Sequence, residues 1–208
     1  MKEEHKQRTR GRPKTFDREK TLVVAIDSYW REGVEEVSVN EICRRAGISK
    51  PGLYREFGNE DLLMDAVLTR YGDTVLASVL GMLSSDCPFQ ETLECLIALI
   101  TSESESATPA GCLCAKMTGS QGRLGPVTRK HVQRIREQTV AAYSDWLEKS
   151  VARGEIALPV SLEIAATYLY AQITLLLTRM AAGENREMIR AHATLAFAPL
   201  TCAPVVDA

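Results

Sequence analysis

Apolar residues recur along this chain at intervals of three and four, and period-two alternation with β-branched enrichment is almost absent, which predicts an all-α fold. The first helix is expected over Asp17–Glu32, with Asp17 as N-cap, Leu22, Ile26, Tyr29 and Trp30 on one face, and Gly33 as the stop. Ser38-Val39-Asn40-Glu41 is a capping box, in which a serine and a glutamate three residues later satisfy each other's free amides. It opens a short second helix that turns inward at Ile42 and ends at Arg45-Ala46, with Gly47 supplying a turn. Ser49 caps a third helix, Lys50–Phe57, in which Pro51 costs little because first-turn amides have no intrahelical partner. Gly58 ends it. Asn59 caps a fourth helix, with Glu60 and Asp61 at its positive end and a bent continuation towards Leu83.

Beyond a break at Ser84–Pro88, helices are expected over Phe89–Thr101 and over a short segment Gly111–Met117, separated by a polar loop, Ser102–Ala110. Thr118–Gly125, with three glycines, reads as a loop. Pro126 begins a helix running to about Arg153, with Val132, Ile135, Thr139, Tyr143, Trp146, Leu147 and Val151 on one stripe. Two more follow over Leu162–Ala182 and Asn185–Phe197, and a frayed tail is expected from Pro199. The stretch Ile164–Leu177 is interrupted by Thr167, Gln172 and Thr174 and falls short of about 20 clean apolar residues, so it predicts a buried or interface helix, with no membrane contact.

Composition changes little, since 45% hydrophobic and 25% charged residues are ordinary globular usage. Charge distribution changes more. Residues 1–55 carry 13 Lys and Arg against 9 Asp and Glu, whereas the remainder carries 12 against 18. Five basic residues and no acidic one lie between Lys6 and Lys14, so a basic arm precedes an acidic body, the asymmetry expected when one end meets a polyanion. Met1–Lys14 lacks the apolar core of a secretory signal, and six cysteines without such a signal point to reduced thiols in a cytoplasm. No Cys-x-x-Cys pair is present, which leaves a zinc finger without support, and no cofactor or metal is expected. Enzymatic signatures are equally lacking: there is no nucleophile elbow, no HExxH, and Gly119–Gly125 does not end as a phosphate-binding loop does.

Three short helices with a tight turn between the second and third make a helix-turn-helix, in which the third helix enters the major groove of double-stranded DNA. Leu53 and Phe57 are spaced to be buried, leaving Lys50, Pro51, Tyr54 and Arg55 outward. Ser49 and Lys50 suit phosphate or base edges, Tyr54 and Arg55 suit phosphates, and Gly52 permits close backbone approach. Ser38, Asn40, Arg44 and Arg45 suit flanking phosphates, and Arg10, Arg12 and Lys14 belong to the arm. A solvated basic hairpin is the plain alternative.

Together, Gly11-Arg12-Pro13-Lys14, the run Gly47-Ile48-Ser49-Lys50-Pro51-Gly52-Leu53-Tyr54-Arg55-Glu56-Phe57 and Leu62-Leu63 resemble the DNA-binding domain of TetR-family regulators over about residues 11–68. Thr108-Pro109-Ala110-Gly111-Cys112-Leu113 resembles a ligand-domain helix of an AcrR-like branch. The resemblance implies an all-α homodimer with three helices for DNA and about six for ligand and dimerisation, a small-molecule inducer and, most often, repression. The chain then divides into an arm (1–14), a DNA-binding domain (15–68), a ligand and dimerisation domain (69–198) and a tail (199–208). Glu60 stands where many members carry lysine, which removes a phosphate contact.

Within the body, Cys112, Met117, Tyr143, Trp146 and Tyr168 are candidates to line an apolar inducer pocket, with Tyr170 and Met180 as further possibilities. Tyr168, Gln172, Leu176, Arg179 and Leu195 are candidates for the dimer face. Cys112 and Cys114, two apart on a regular helix, point to different faces, which disfavours joint chelation and makes buried structural thiols the default. A thiol- or copper-responsive sensor is the alternative. A ligand-independent DNA-binding protein is disfavoured by the long acidic body.

Overall fold

The computed structural model describes residues 16–102 and 109–201. Among them the chain is helical with no strand: α1 (Arg18–Glu32), α2 (Val39–Ala46), α3 (Lys50–Phe57), α4 (Glu60–Tyr71), α5 (Ala77–Ser84), α6 (Phe89–Ile100), α7 (Leu113–Gly119), α8 (Pro126–Ala152), α9 (Leu162–Ala181) and α10 (Arg186–Phe197). The caps are local chemistry. Asp17, Ser38, Ser49, Asn59, Ser161 and Asn185 each accept an amide hydrogen bond from the first turn they precede. Gly47 closes the α2–α3 turn in the left-handed conformation (φ 69°), where other residues are strained.

The expected bend after the fourth helix is a π-helical turn, Gly72–Leu76, joining α4 to α5. Three boundaries differ from expectation. Helix α7 starts at Leu113, so Cys112 is its extended N-cap (φ −119°, ψ 125°) and stands outside the helix that the spacing predicts over 111–117. The glycine-rich stretch after it contains a 3-10 turn, Gln121–Arg123. The chain also stays packed to Leu200, 2% exposed at the end of a 3-10 turn, where a frayed tail was expected from Pro199.

Two apolar clusters form. One joins α1–α4 to α7 and the beginning of α8, through Tyr29, Ile42, Leu53, Leu63, Leu113, Met117 and Val132 among others. The other fills the space between α6, the second half of α8, α9 and α10, around Trp146, Leu147, Leu169, Leu176, Ile189 and Phe197. Trp146 stacks on Phe89 there, with ring centroids 4.6 Å apart.

Helix α8 lacks a cap of its own, because Gly125 offers no side chain. The acceptor comes from α4. Asp61 takes hydrogen bonds from the amides of Val127 (3.0 Å) and Thr128 (2.9 Å) and from the Thr128 hydroxyl (2.5 Å). A Cβ on residue 125 would collide with the Asp61 carboxyl group, so glycine is required for this approach. One turn further along α4, Asp65 lies 2.7 Å from His131 Nδ1, and one residue before Asp61, Glu60 pairs with Arg123 at 3.8 Å. Three acidic residues of α4 therefore bind the start of α8 and the turn before it.

Burial opposes ionisation of Asp61, but the donors of Thr128 and Val127 outweigh it and hold the carboxyl below its ordinary range. Asp61→Ala strands a buried threonine amide and hydroxyl, and the expected loss is about 1–3 kcal/mol in chemical denaturation. Because the folded carboxyl is the stronger acid, the difference between wild type and variant should be complete above the ordinary carboxylate range and shrink as pH falls through the depressed value. A difference independent of pH would show that packing, and not the charged cap, carries the effect.

Candidate nucleic-acid interface and ligand cavity

Of the residues expected to read DNA, Ser49, Gly52 and Arg55 line one cleft, and Arg10, Arg12 and Lys14 lie outside the described residues. Ser38 and Asn40 are exposed at the start of α2, Arg44 is exposed towards its end, Ser49, Lys50, Pro51 and Arg55 are exposed on α3 and its cap, and Gly52 is half-buried. Leu53 and Phe57 are buried beneath them. Tyr54, expected fully outward, is half-buried and packs against the first core, with Lys50 Nζ 5.6 Å from its ring centre. The cation thus lies over the face of a ring that is itself anchored, which holds the lysine at the start of α3.

The basic residues of this surface are not equivalent. Arg44 forms a two-point pair with Glu41, at 2.8 and 2.6 Å. Arg45 also binds Glu41 (2.6 Å), bonds the Ser28 hydroxyl (3.0 Å) and pairs with Glu32 on α1. Hydrogen bonds from Arg44 and Arg45 hold the Glu41 carboxyl down at about 2. Arg45 therefore fastens α2 to α1, which is not what a cation free for phosphate does. Lys50 and Arg55 make no ion pair with any described carboxylate. Lys20, not anticipated from the sequence, joins Arg55 and Ser49 around a cleft of about 440 Å³ beside the turn. Its signal was an exposed lysine on the first turn of α1, indistinguishable in sequence from any solvated lysine.

Inside the molecule is a second cavity, of about 240 Å³. Aromatic walls come from Trp30 (α1), Tyr71 (α4), Tyr143 (α8) and Tyr170 (α9), and aliphatic ones from the π turn, α5, α6 and α9; Cys112 and Cys114 stand between them. Of the residues expected here, Cys112, Tyr143, Tyr170 and Met180 line the cavity, and Met117, Trp146 and Tyr168 do not. Met117 is wholly buried in the first core, Trp146 is stacked on Phe89, and the Tyr168 hydroxyl donates to the Ala196 carbonyl at 2.8 Å. A helical stripe identifies the inward face, but the partner helices decide whether a residue on it meets a void or a side chain. Burial raises the Tyr143 and Tyr170 hydroxyls, so both stay neutral.

From this cavity a chain of contacts runs to α1 and α4. The Tyr71 hydroxyl lies 3.4 Å from Cys112 Sγ, and its ring meets Trp30 edge to face at 5.0 Å. Trp30 Nε1 donates to the Gly111 carbonyl at 3.2 Å, and Lys116 Nζ to the Arg31 carbonyl at 2.9 Å. In sequence, Tyr71 and Trp30 are indistinguishable from ordinary apolar positions.

On the outside of α9 and α10, Ile164, Leu175, Met188 and Leu195 are at least half exposed, Leu195 at 73%. Leu176, expected on the dimer face, is instead 2% exposed in the second core. Arg179 pairs with Glu184 (2.6 Å), and Tyr168 and Gln172 are half-buried. A one-residue step along a helix turns the side chain by about 100°, which is why Leu175 is outward and Leu176 inward.

The family model for bacterial regulatory proteins of the tetR family matches residues 22–67. The HTH-type transcriptional repressor ComR of Escherichia coli K12 is 32% identical over 155 residues, which cover 72% of each chain. This chain belongs to the TetR family. It is accordingly a DNA-binding transcriptional regulator and not an enzyme. The E. coli repressor BdcR is 33% identical over 107 residues, or 51% of this chain and 54% of that one. The fold is also that of the TetR-family regulator CifR, whose cysteine mutant was solved with a 26-base-pair operator: TM-score 0.77, 22% identity, covering 91% of this chain and all of that one. No helix among the described residues is long and apolar enough to cross a membrane.

The unequal roles of the basic residues are directly measurable. Lys50→Ala should leave thermal stability unchanged and weaken binding to a cognate duplex by about 1–3 kcal/mol per half-site if it reads a base, with relaxed preference at one base pair. Arg45→Ala should instead lower the melting temperature, because it unfastens α2 from α1. Full affinity in a well-folded Lys50→Ala protein would remove α3 from the reading role.

Proposed function

We propose that the chain is a ligand-responsive repressor, acting in the cytoplasm, that binds a palindromic operator as a homodimer and is released by a mainly apolar small molecule. The observation that carries this reading is the contact chain from the apolar cavity through Tyr71 and Trp30 to the helix-turn-helix. An occupant of the cavity touches residues that belong to α1 and α4, so it has a physical means of favouring one arrangement of the reading helices over another. The cavity exceeds the roughly 150 Å³ void that accepts a benzene ring, which favours a ligand of one ring with a short substituent.

Within this reading the arm (1–14) and the domain over 15–68 hold DNA, and 69–198 holds ligand and partner. Ser38, Asn40, Ser49, Lys50, Pro51, Gly52, Tyr54 and Arg55 form the contact surface, with Arg10, Arg12 and Lys14 adding phosphate contacts. Arg44 and Arg45 serve it by position. The exposed apolar face of α9 and α10 is the dimer contact, centred on Leu175 and Leu195, and a two-fold protein matches a two-fold operator. Capture from a random duplex library by the full chain should enrich an inverted repeat; recovery of single half-sites or of no consensus would overturn the reading.

Leu175→Glu should give particles of about half the mass in sedimentation and lose the repeat, since the costly carboxylate sits at the contact. Leu176→Glu should unfold the body, because that position is internal. A Leu175→Glu protein that remains dimeric would move the interface off this face.

A further inference from the structure

Because α7 starts at Leu113, Cys112 is extended while Cys114 stands in the first turn. The two side chains therefore do not diverge as they would on a regular helix, and both line the cavity within hydrogen-bond reach of each other. The Tyr71 hydroxyl lies 3.4 Å from the Cys112 sulfur, and the Cys114 thiol and the backbone amides of Cys114 and Ala115 also favour its thiolate. The Cys114 hydrogen bond leads in stabilising the thiolate; burial opposes it, and the Tyr71 hydroxyl and the amides reinforce the donor, so Cys112 becomes a stronger acid than an ordinary thiol. The donors shift the other way: Cys114 is raised by that same hydrogen bond and by burial, and Tyr71 chiefly by burial. One nucleophile and two protonated donors thus face an apolar space. The other described thiols differ: Cys43 is buried outside the cavity with its acidity reduced by burial, and Cys87 and Cys95 are on the surface. Among the described residues no group of three or more His, Cys, Asp or Glu side chains is placed to hold a metal ion.

We propose that this cavity is a covalent capture site in which Cys112 adds to small α,β-unsaturated carbonyl compounds, and that the adduct releases DNA by displacing Tyr71 and Trp30. It rests on the regulator reading above and names the chemical class of its inducer. The Cys112 sulfur, its proton already given to water, forms a bond to the β-carbon while the alkene pair moves through to the carbonyl oxygen. The resulting enolate takes a proton from water at its α-carbon, leaving a thioether and a saturated ketone. Nothing is oxidised and no further reactant is needed. The added carbons occupy the space beside the Tyr71 ring. Gly111 cannot yield on the other side, because it is packed against Ala181 and the Leu177 carbonyl so closely that a Cβ on residue 111 would stand 2.7 Å from Ala181 Cβ. Movement is therefore directed at Tyr71 and Trp30, whose indole bonds the Gly111 carbonyl.

The probe is cyclohex-2-enone, with cyclohexanone as the matched compound lacking the alkene, applied to the full chain at pH 7. Peptide mass mapping over time should show Cys112 alkylated about tenfold or more faster than Cys87 and Cys95, as its thiolate character requires. Tyr71→Phe should slow that reaction and move its pH midpoint upward. Anisotropy on the duplex recovered by library capture should show release by the enone, none by cyclohexanone, and none by the enone from Cys112→Ser or Cys112→Ala proteins that bind normally beforehand. Labelling of Cys112 no faster than the surface thiols overturns the capture site. Release that persists in both Cys112 variants, or a fully labelled protein that keeps its DNA, overturns the switch. Failure to recover any duplex is a failure of the regulator reading, and it leaves the labelling rates to decide on Cys112 by themselves.

Discussion

Helix α8 begins on a residue with no side chain, and its first amides are satisfied by a carboxylate from another helix. The arrangement of the two apolar clusters depends on that fact. Asp61 is on α4, whose apolar face, Leu63, Met64, Val67 and Leu68, belongs to the core of the DNA-reading helices. By accepting from Val127, Thr128 and the Thr128 hydroxyl, the same helix fixes where α8 starts and how it is rotated. Glu60 and Asp65 extend the contact to Arg123 and His131. A charge-assisted bond to a buried partner is directional and costly to leave unmade, so separating α4 from α8 is unfavourable. Glu60, which the family resemblance led us to expect would cost a phosphate contact, has a structural use here.

Electrostatics on the reading surface follow a similar division. Glu41 pairs with Arg44 and Arg45 within α2, and Glu32 pairs with Arg45 across to α1, while Lys50 and Arg55 stay outside any ion pair with the described carboxylates. A count of basic residues over the segment overstates the charge available to a phosphate backbone. What remains is placed at the start and outer face of α3, the helix that we propose meets base edges and phosphates.

The candidate cavity was partly legible beforehand. Tyr143 lay on an apolar stripe that had to face inward, Tyr170 and Met180 lay on a helix with few polar positions, and Cys112 stood in a stretch that resembles a ligand-domain helix. Tyr71 and Trp30 were missed because each looks like core in its own helix, and only the meeting of α1, α4 and α7 makes them a wall. Met117, Trp146 and Tyr168 failed for the converse reason, since neighbouring side chains fill the space in front of them. Asp61 left a trace that was available: a long helix opening on Gly-Pro without a capping side chain needs an acceptor from elsewhere.

Local chemistry, by itself, determined the helical class, most helix ends, the helix-turn-helix and the family, because caps, glycine stops and apolar periodicity act over three or four residues. Those residues are neighbours in the sequence, so their interactions are present before any tertiary contact forms. Tertiary structure alone decided which outward positions are free, such as Leu175 as against Leu176, which arginines are already paired, and where a void is left between helices. It also decided that α7 begins one residue after Cys112. These properties belong to surfaces brought together from distant parts of the chain, and a period of 3.6 residues specifies which face of a helix is apolar without specifying what that face will meet.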